Sequence, residues 1–180
     1  MDLNFSRSAD FILLQVLGLF IDPDGTVWSD GVSQQQYADW CAKHNSPAQD
    51  VRSVSWTPTK KEIVKDLYWI PNGRNLPPGF DYLFFDAAWN LGVTDAIVIL
   101  QRTVGAPATG VIDTATQAAL GQLRVPISAF WVSTFCEEYE NRFNEIVAAH
   151  PPSEARLRHF WPNRIARDNV NAMQIVLEHP

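Results

Sequence analysis

Asp86 and Asn90 stand four residues apart in FDYLFFDAAWNLG, a stretch otherwise apolar on nearly every side. At 3.6 residues per turn they share one helix face. A carboxylate in such surroundings must be hydrogen-bonded or paired, because an unpartnered charge is costly to bury. Arg102 or Arg164 could serve as its partner. Two readings are open: a structural network tying helices together, or a ligand contact. Asp22, Asp24 and Asp30 form a small acidic cluster beside the turn DPDG. A calcium loop would need more than three carboxylates without EF-hand spacing, and turn formation alone accounts for Asp22 and Asp24. Glu137, Glu138, Glu140 and Glu145 crowd one segment and read as its solvated face. His44, His150, His159 and His179 show no metal-ligand spacing, and there is no GxSxG, Walker or dinucleotide fingerprint. No metal and no cofactor is expected. Cys41 and Cys136 lie far apart and outside any CxxC pattern, so two buried free thiols are expected, with a disulfide as the alternative.

The elements that would position these residues are mainly helices. Ser6 or Ser8 can cap a first helix, and the run from Phe11 to Ile21 reads as its buried continuation, closed by Asp22-Pro23-Asp24-Gly25. TVWSDGVS alternates loosely around Asp30-Gly31, as a small hairpin or an irregular loop would. Ser33 is placed to cap a helix through Tyr37, Trp40 and Cys41. Thr59 and Glu62 have capping-box spacing ahead of Ile63, Leu67 and Trp69. FDYLFFDAAWNLG reads as a central buried helix stopped by Gly92. Thr94 is the expected cap of the next helix, and Asp113 or Thr114 of the one after. Phe130, Trp131, Phe135, Tyr139, Phe143, Ile146 and Val147 make an apolar stripe at spacings of three and four. A last helix is expected from about Ser153, with a kink at Pro162. The fold class is all-α or mainly α.

The chain has 180 residues, 46% of them hydrophobic, with seven Trp and ten Phe. That suits one compact globular unit in two halves, 1–75 and 76–180. A formal charge of −6 argues against nucleic acid and against anionic lipid as partners. The apolar run at 11–21 is too short to span a bilayer. It also lacks the positive flank and cleavage site of a secretory signal. Synthesis in the cytoplasm is expected, with action there or in the periplasm.

The most specific segment is PPGFDYLFFDAAWNLGVTDAIVILQRTVGAPATGVIDTATQAAL. It resembles the C-terminal half of the glycoside hydrolase family 108 lysozymes, described as a predicted peptidoglycan-binding region. Phe85-Asp86-Ala87-Ala88, Asn90, Gly92, Ala96, Leu100-Gln101, Gly105, Gly110-Val111-Ile112, Thr116 and Leu120 carry the likeness. TKKEIVKDLYW and HFWPNRI resemble the family's flanking segments. The resemblance implies a lysozyme-like helical domain. It also implies an N-acetylmuramidase setting, found among phage lysis proteins and bacterial secretion loci. Asp86, Asn90, Gln101 and Arg102 are the positions it implies for holding the second half together and for touching ligand.

The family's acid belongs to the motif Ile-Leu-x-x-Glu-Gly-Gly-Tyr-x-x-Asp-Pro. With Asp22-Pro23 on its Asp-Pro, the acid falls on Val16, the first glycine on Leu17 and the tyrosine on Leu19. Glycoside cleavage by this route needs a proton donor at the leaving oxygen. Valine cannot supply one, and losing general-acid help alone costs about 100- to 10,000-fold in rate. The resemblance with this departure implies a pseudoenzyme that recognises peptidoglycan or a protein of a phage-derived or secretion machine. Val16, Leu17 and Leu19 would then form an apolar docking face. The competing expectation is a working muramidase whose acid has moved to Asp22, Asp24 or Asp30.

Overall fold

The computed structural model describes residues 3–13, 19–21, 25–54, 59–149 and 168–178. They fall into two compact units, Met1–Pro71 and Asn72–Pro180.

The first unit opens with α1 (Leu3–Leu13), which buries Phe5, Ala9 and Ile12 at helical spacing. Phe5 meets the Trp69 ring at 5.5 Å between centroids. The expected helix across 11–21 is not found as such. Leu19–Ile21 is a strand, β1, pairing antiparallel with β2 (Val27–Ser29), which pairs in turn with β3 (Val32–Ser33). At 19–21, sheet pairing overrides an apolar pattern that periodicity could not tell from helix. Leu19 and Ile21, on one side of the pleat of the edge strand β1, are 57% and 54% exposed.

TVWSDGVS is the hairpin. Asp30 and Gly31 form its two-residue loop with φ of +49° and +78°, the left-handed pair that a tight hairpin needs. Ser33 caps α2 (Gln34–Lys43) in a reciprocal capping box with Gln36. A 3₁₀ turn at Val51–Ser53 follows, then α3 (Lys61–Val64) and a π-helical stretch, Lys65–Gly73. The capping box expected at Thr59 does not open α3. The cap position is Lys60, whose ammonium has no acceptor to offer the helix N–H groups and instead donates to the hairpin.

In the second unit, α4 (Phe80–Leu91) is buried continuously from Phe80 to Ala88 and packs against α5 (Val93–Thr103) and α7 (Ala129–Ala149). Gly92 ends α4 as expected and also caps α5, so Thr94 is not the cap. Asp113 caps α6 (Thr114–Gly121) through the Thr116 amide at 2.8 Å. On α7, Val132, Phe135, Tyr139, Phe143 and Val147 form the buried stripe, while Glu137, Glu140 and Glu145 face water. Phe130, in the first turn, departs from the stripe and is 67% exposed. The last described helix, α8, covers 168–178 and buries Ala172, Ile175 and Val176. The expected start near Ser153 and kink at Pro162 lie outside the described residues. No described helix is long and apolar enough to cross a membrane.

Candidate functional site

Val16, Leu17, Asp22 and Asp24 lie outside the described residues. Leu19 and Asp30 are described, and β-pairing brings them close: Leu19 sits opposite Ser29, the residue before Asp30. The antiparallel register therefore carries Leu19 next to the tip of the hairpin.

At that tip Asp30 is already engaged. The Lys60 ammonium donates to Asp30 Oδ2 at 2.7 Å and to Ser29 Oγ at 2.8 Å. The lysine side chain is only 1% exposed and that of Asp30 19%. A buried ammonium persists only with close acceptors, and the hairpin supplies two. Sequence reasoning missed Lys60. The available signal was its spacing: it precedes the buried Ile63 and Val64 by three and four residues, which places a charge on the apolar face of a helix. Ser29 accepts from the lysine, and the lysine is ion-paired. The pair therefore has the wrong polarity for a serine nucleophile activated by a neutral lysine base.

In the second unit, Asp86 is fully buried. Its Oδ2 accepts from the Tyr139 hydroxyl and from Asn90 Nδ2, each at 3.0 Å. Arg102 is not the partner that its charge suggested. It reaches Glu145 across the outer side of α5 and α7, at 2.7 and 3.2 Å. Glu145 also accepts from Arg142, which bonds Asp95 at 2.7 Å. These hydrogen bonds from Arg102 and Arg142 hold the Glu145 carboxyl down at about 2.

Gln101, also fully buried, knits the loop after α5 to the helix. Its amide group reaches Thr109 Oγ1, the Val111 carbonyl and Thr116 Oγ1 at 2.8–2.9 Å, and its oxygen accepts from the Gly110 amide at 2.9 Å. Asp86 and Gln101 are fully buried, and both are hydrogen-bonded within the second unit. Asn90 and Arg102 are partly open to solvent.

A second carboxylate, Asp168 on α8, is equally buried and was not anticipated. The Tyr82 hydroxyl donates to its Oδ1 at 2.6 Å and accepts from Asn171 Nδ2 at 3.1 Å. Burial first, and then the nearby Asp86 and Asp168 charges, push the Tyr82 phenol far above its ordinary range. Burial and Asp168 likewise push the Cys136 thiol up to about 12. Cys41 and Cys136 are both buried free thiols. No group of three metal-ligating side chains occurs among the described residues.

This network is testable. Tyr139→Phe removes one hydrogen bond to a buried carboxylate and keeps the ring, so a loss of about 1–2 kcal/mol in urea unfolding is expected. A loss below about 0.5 kcal/mol would show that the Tyr139 hydroxyl is not a stabilising partner of Asp86.

Residues 22–92 match the family model described as Glycosyl hydrolase 108. That span includes the hairpin, α2, α3 and α4 as far as Gly92, and with them Asp30, Lys60, Asp86 and Asn90. Over that span the chain is similar to the glycosyl hydrolase 108 family. The fold is shared with a solved structure titled "Structure of Brucella abortus SagA", at a TM-score of 0.73 and 20% identity, covering 96% of this chain and 95% of that one. No curated protein matches significantly. The glycosyl hydrolase 108 resemblance read from the residues therefore stands, and so does the mainly α lysozyme-like architecture.

Proposed function

We propose that this protein is a lysozyme-like pseudoenzyme that binds peptidoglycan without cleaving it, or that docks a protein of a phage-derived or secretion machine. The observation that carries this reading is Val16, which occupies the position of the family's proton donor. Leu17 and Leu19 replace a glycine and a tyrosine of the same motif, so the change extends beyond one residue. The geometry of the hairpin adds support. Asp30, one of three carboxylates that could have taken over, is committed to the Lys60 ammonium, and placing a proton on it would break that pair. Leu19, exposed on its edge strand, is available to a docking partner.

The test is release of soluble muropeptides and new reducing ends from purified peptidoglycan, at high protein concentration and long incubation. The native chain is expected to release none, yet to sediment with insoluble peptidoglycan or retain a protein partner. Reducing-end release that disappears in Asp22→Asn or Asp24→Asn would overturn the proposal and establish a relocated acid.

A further inference from the structure

The helix α8 is apolar on two opposite faces. With about 100° between successive residues, Ala172, Ile175 and Val176 point one way and are buried in the second unit. Val170, Met173 and Leu177 lie on the other side, at the spacings of three and four that form a helix-packing seam. Val170 and Leu177 are 65% and 73% exposed, with Met173 half-buried between them. A helix that is apolar all round is one that is covered all round, and here the outer seam meets water.

The apolar surface continues beyond α8. Ile127 Cδ1 and Val176 Cγ2 both approach the point where a Cβ on Gly79 would stand, at 3.3 and 2.6 Å, so the segment around Ile127 lies beside α8. Val125 and Phe130, on either side of Ile127, are exposed. Among the described residues of the second unit, five large apolar side chains are exposed, and all but Val111 belong to α8 or to this segment.

Charge decides what fits this face. The chain carries a net charge of −6, so two copies repel over most of their surfaces. In α8 the charged residues are Asp168, which is buried, and Glu178 at the end; Asn169, Asn171 and Gln174 flank the seam. When two α8 helices pack antiparallel about a two-fold axis, Val170 of each copy meets Leu177 of the other. Met173 and Gln174 then straddle the axis. The same register sets each Glu178 against a neutral Asn169, whereas a parallel pair would bring the two carboxylates together. Opposed helix dipoles favour the same arrangement.

We propose that a second copy of this chain covers the outer face of α8, in a two-fold dimer with antiparallel α8 helices and Val125 and Phe130 extending the contact. An α8 of eleven residues is about 16 Å long. Its seam alone falls short of the roughly 1,200 Å² that a stable interface buries, so the flanking side chains are needed. The dimer is therefore weak, with a dissociation constant of about 10–100 µM.

The experiment is sedimentation equilibrium of the full chain from about 1 to about 300 µM, a range that brackets this constant. The weight-average mass is expected to climb from one chain towards two. Leu177→Lys and Phe130→Ser, both at exposed positions, should each weaken association at least about tenfold while leaving urea unfolding unchanged. Orientation is read by cross-linking, since the native Cys41 and Cys136 are buried. Gln174→Cys, beside the axis, should form a disulfide between copies on mild oxidation, and Glu178→Cys should not. Equal cross-linking at both positions would overturn the antiparallel pairing, and association that neither substitution weakens would overturn this face. A mass that stays at one chain throughout would overturn the dimer. In that case, loss of stability in Leu177→Lys would mean that the chain covers the face itself, and flotation with phosphatidylcholine vesicles would assign it to lipid.

Discussion

Replacing Gly79 by alanine is expected to destabilise the second unit by about 2–4 kcal/mol, through two separable causes. Gly79 precedes α4 with φ of +93° and ψ of −48°, a backbone conformation that a Cβ makes strained. A Cβ there would also stand 2.6 Å from Val176 Cγ2, closer than two carbons can approach, and 3.3 Å from the Ala172 carbonyl oxygen. The first cause belongs to the residue itself, whereas the second belongs to its packing against α8. Val176→Ala removes the clashing methyl and leaves the strain, so the two substitutions should be less than additive. Urea unfolding of both single variants and the double variant gives the coupling. Simple additivity would mean that α8 does not pack on Gly79 as described.

The second large effect is expected at the hairpin. Lys60→Met leaves Asp30 beside an apolar side chain with its cation gone. Removing one partner of a fully buried pair costs about 3–5 kcal/mol. Here Asp30 keeps some contact with water, at 19% exposure, so the expected loss is about 2–4 kcal/mol. Asp30→Asn keeps a residue tolerated at positive φ and removes the charge. The double variant Lys60→Met/Asp30→Asn should therefore recover much of the stability lost by Lys60→Met alone. A single substitution costing under about 1 kcal/mol would mean that the pair is solvated in practice and the latch is weak.

The latch and the degenerate motif bear on the same question. A muramidase needs a carboxylic acid free to give up a proton and room for a glycan strand. On the proposed reading the acid's position falls on Val16 and the neighbouring glycine's on Leu17, while Asp30 is held by Lys60. The contrast between Asp30 and Asp86 is instructive. Both were singled out as carboxylates in unusual places, and each has an internal partner that spacing did not reveal. For Asp86 one such partner is Tyr139, 53 residues away; for Asp30 one is Lys60, 30 residues away.

Several elements were legible because their signals are local. The turn at Asp30-Gly31, the Ser33 cap with Gln36, the stop at Gly92, the Asp113 cap and the apolar stripe of α7 each follow from residues within a few positions of one another. The errors had a common origin. Leu19–Ile21 became an edge strand because β2 was available to pair with it, and a short apolar run carries no mark that separates strand from helix. Thr94 lost its capping role because Gly92 both ends α4 and begins α5.

By itself, the sequence determined the helical class, the family resemblance and the absence of a carboxylate at position 16. These depend on residue identity and short-range periodicity, which folding does not alter. Only the tertiary structure decided which charges are partnered. It buried Lys60 against the hairpin, turned Arg102 toward Glu145 and away from Asp86, and closed Tyr82 over Asp168. The pairing of buried polar groups is a long-range property, settled by which helix faces meet when the apolar side chains leave water.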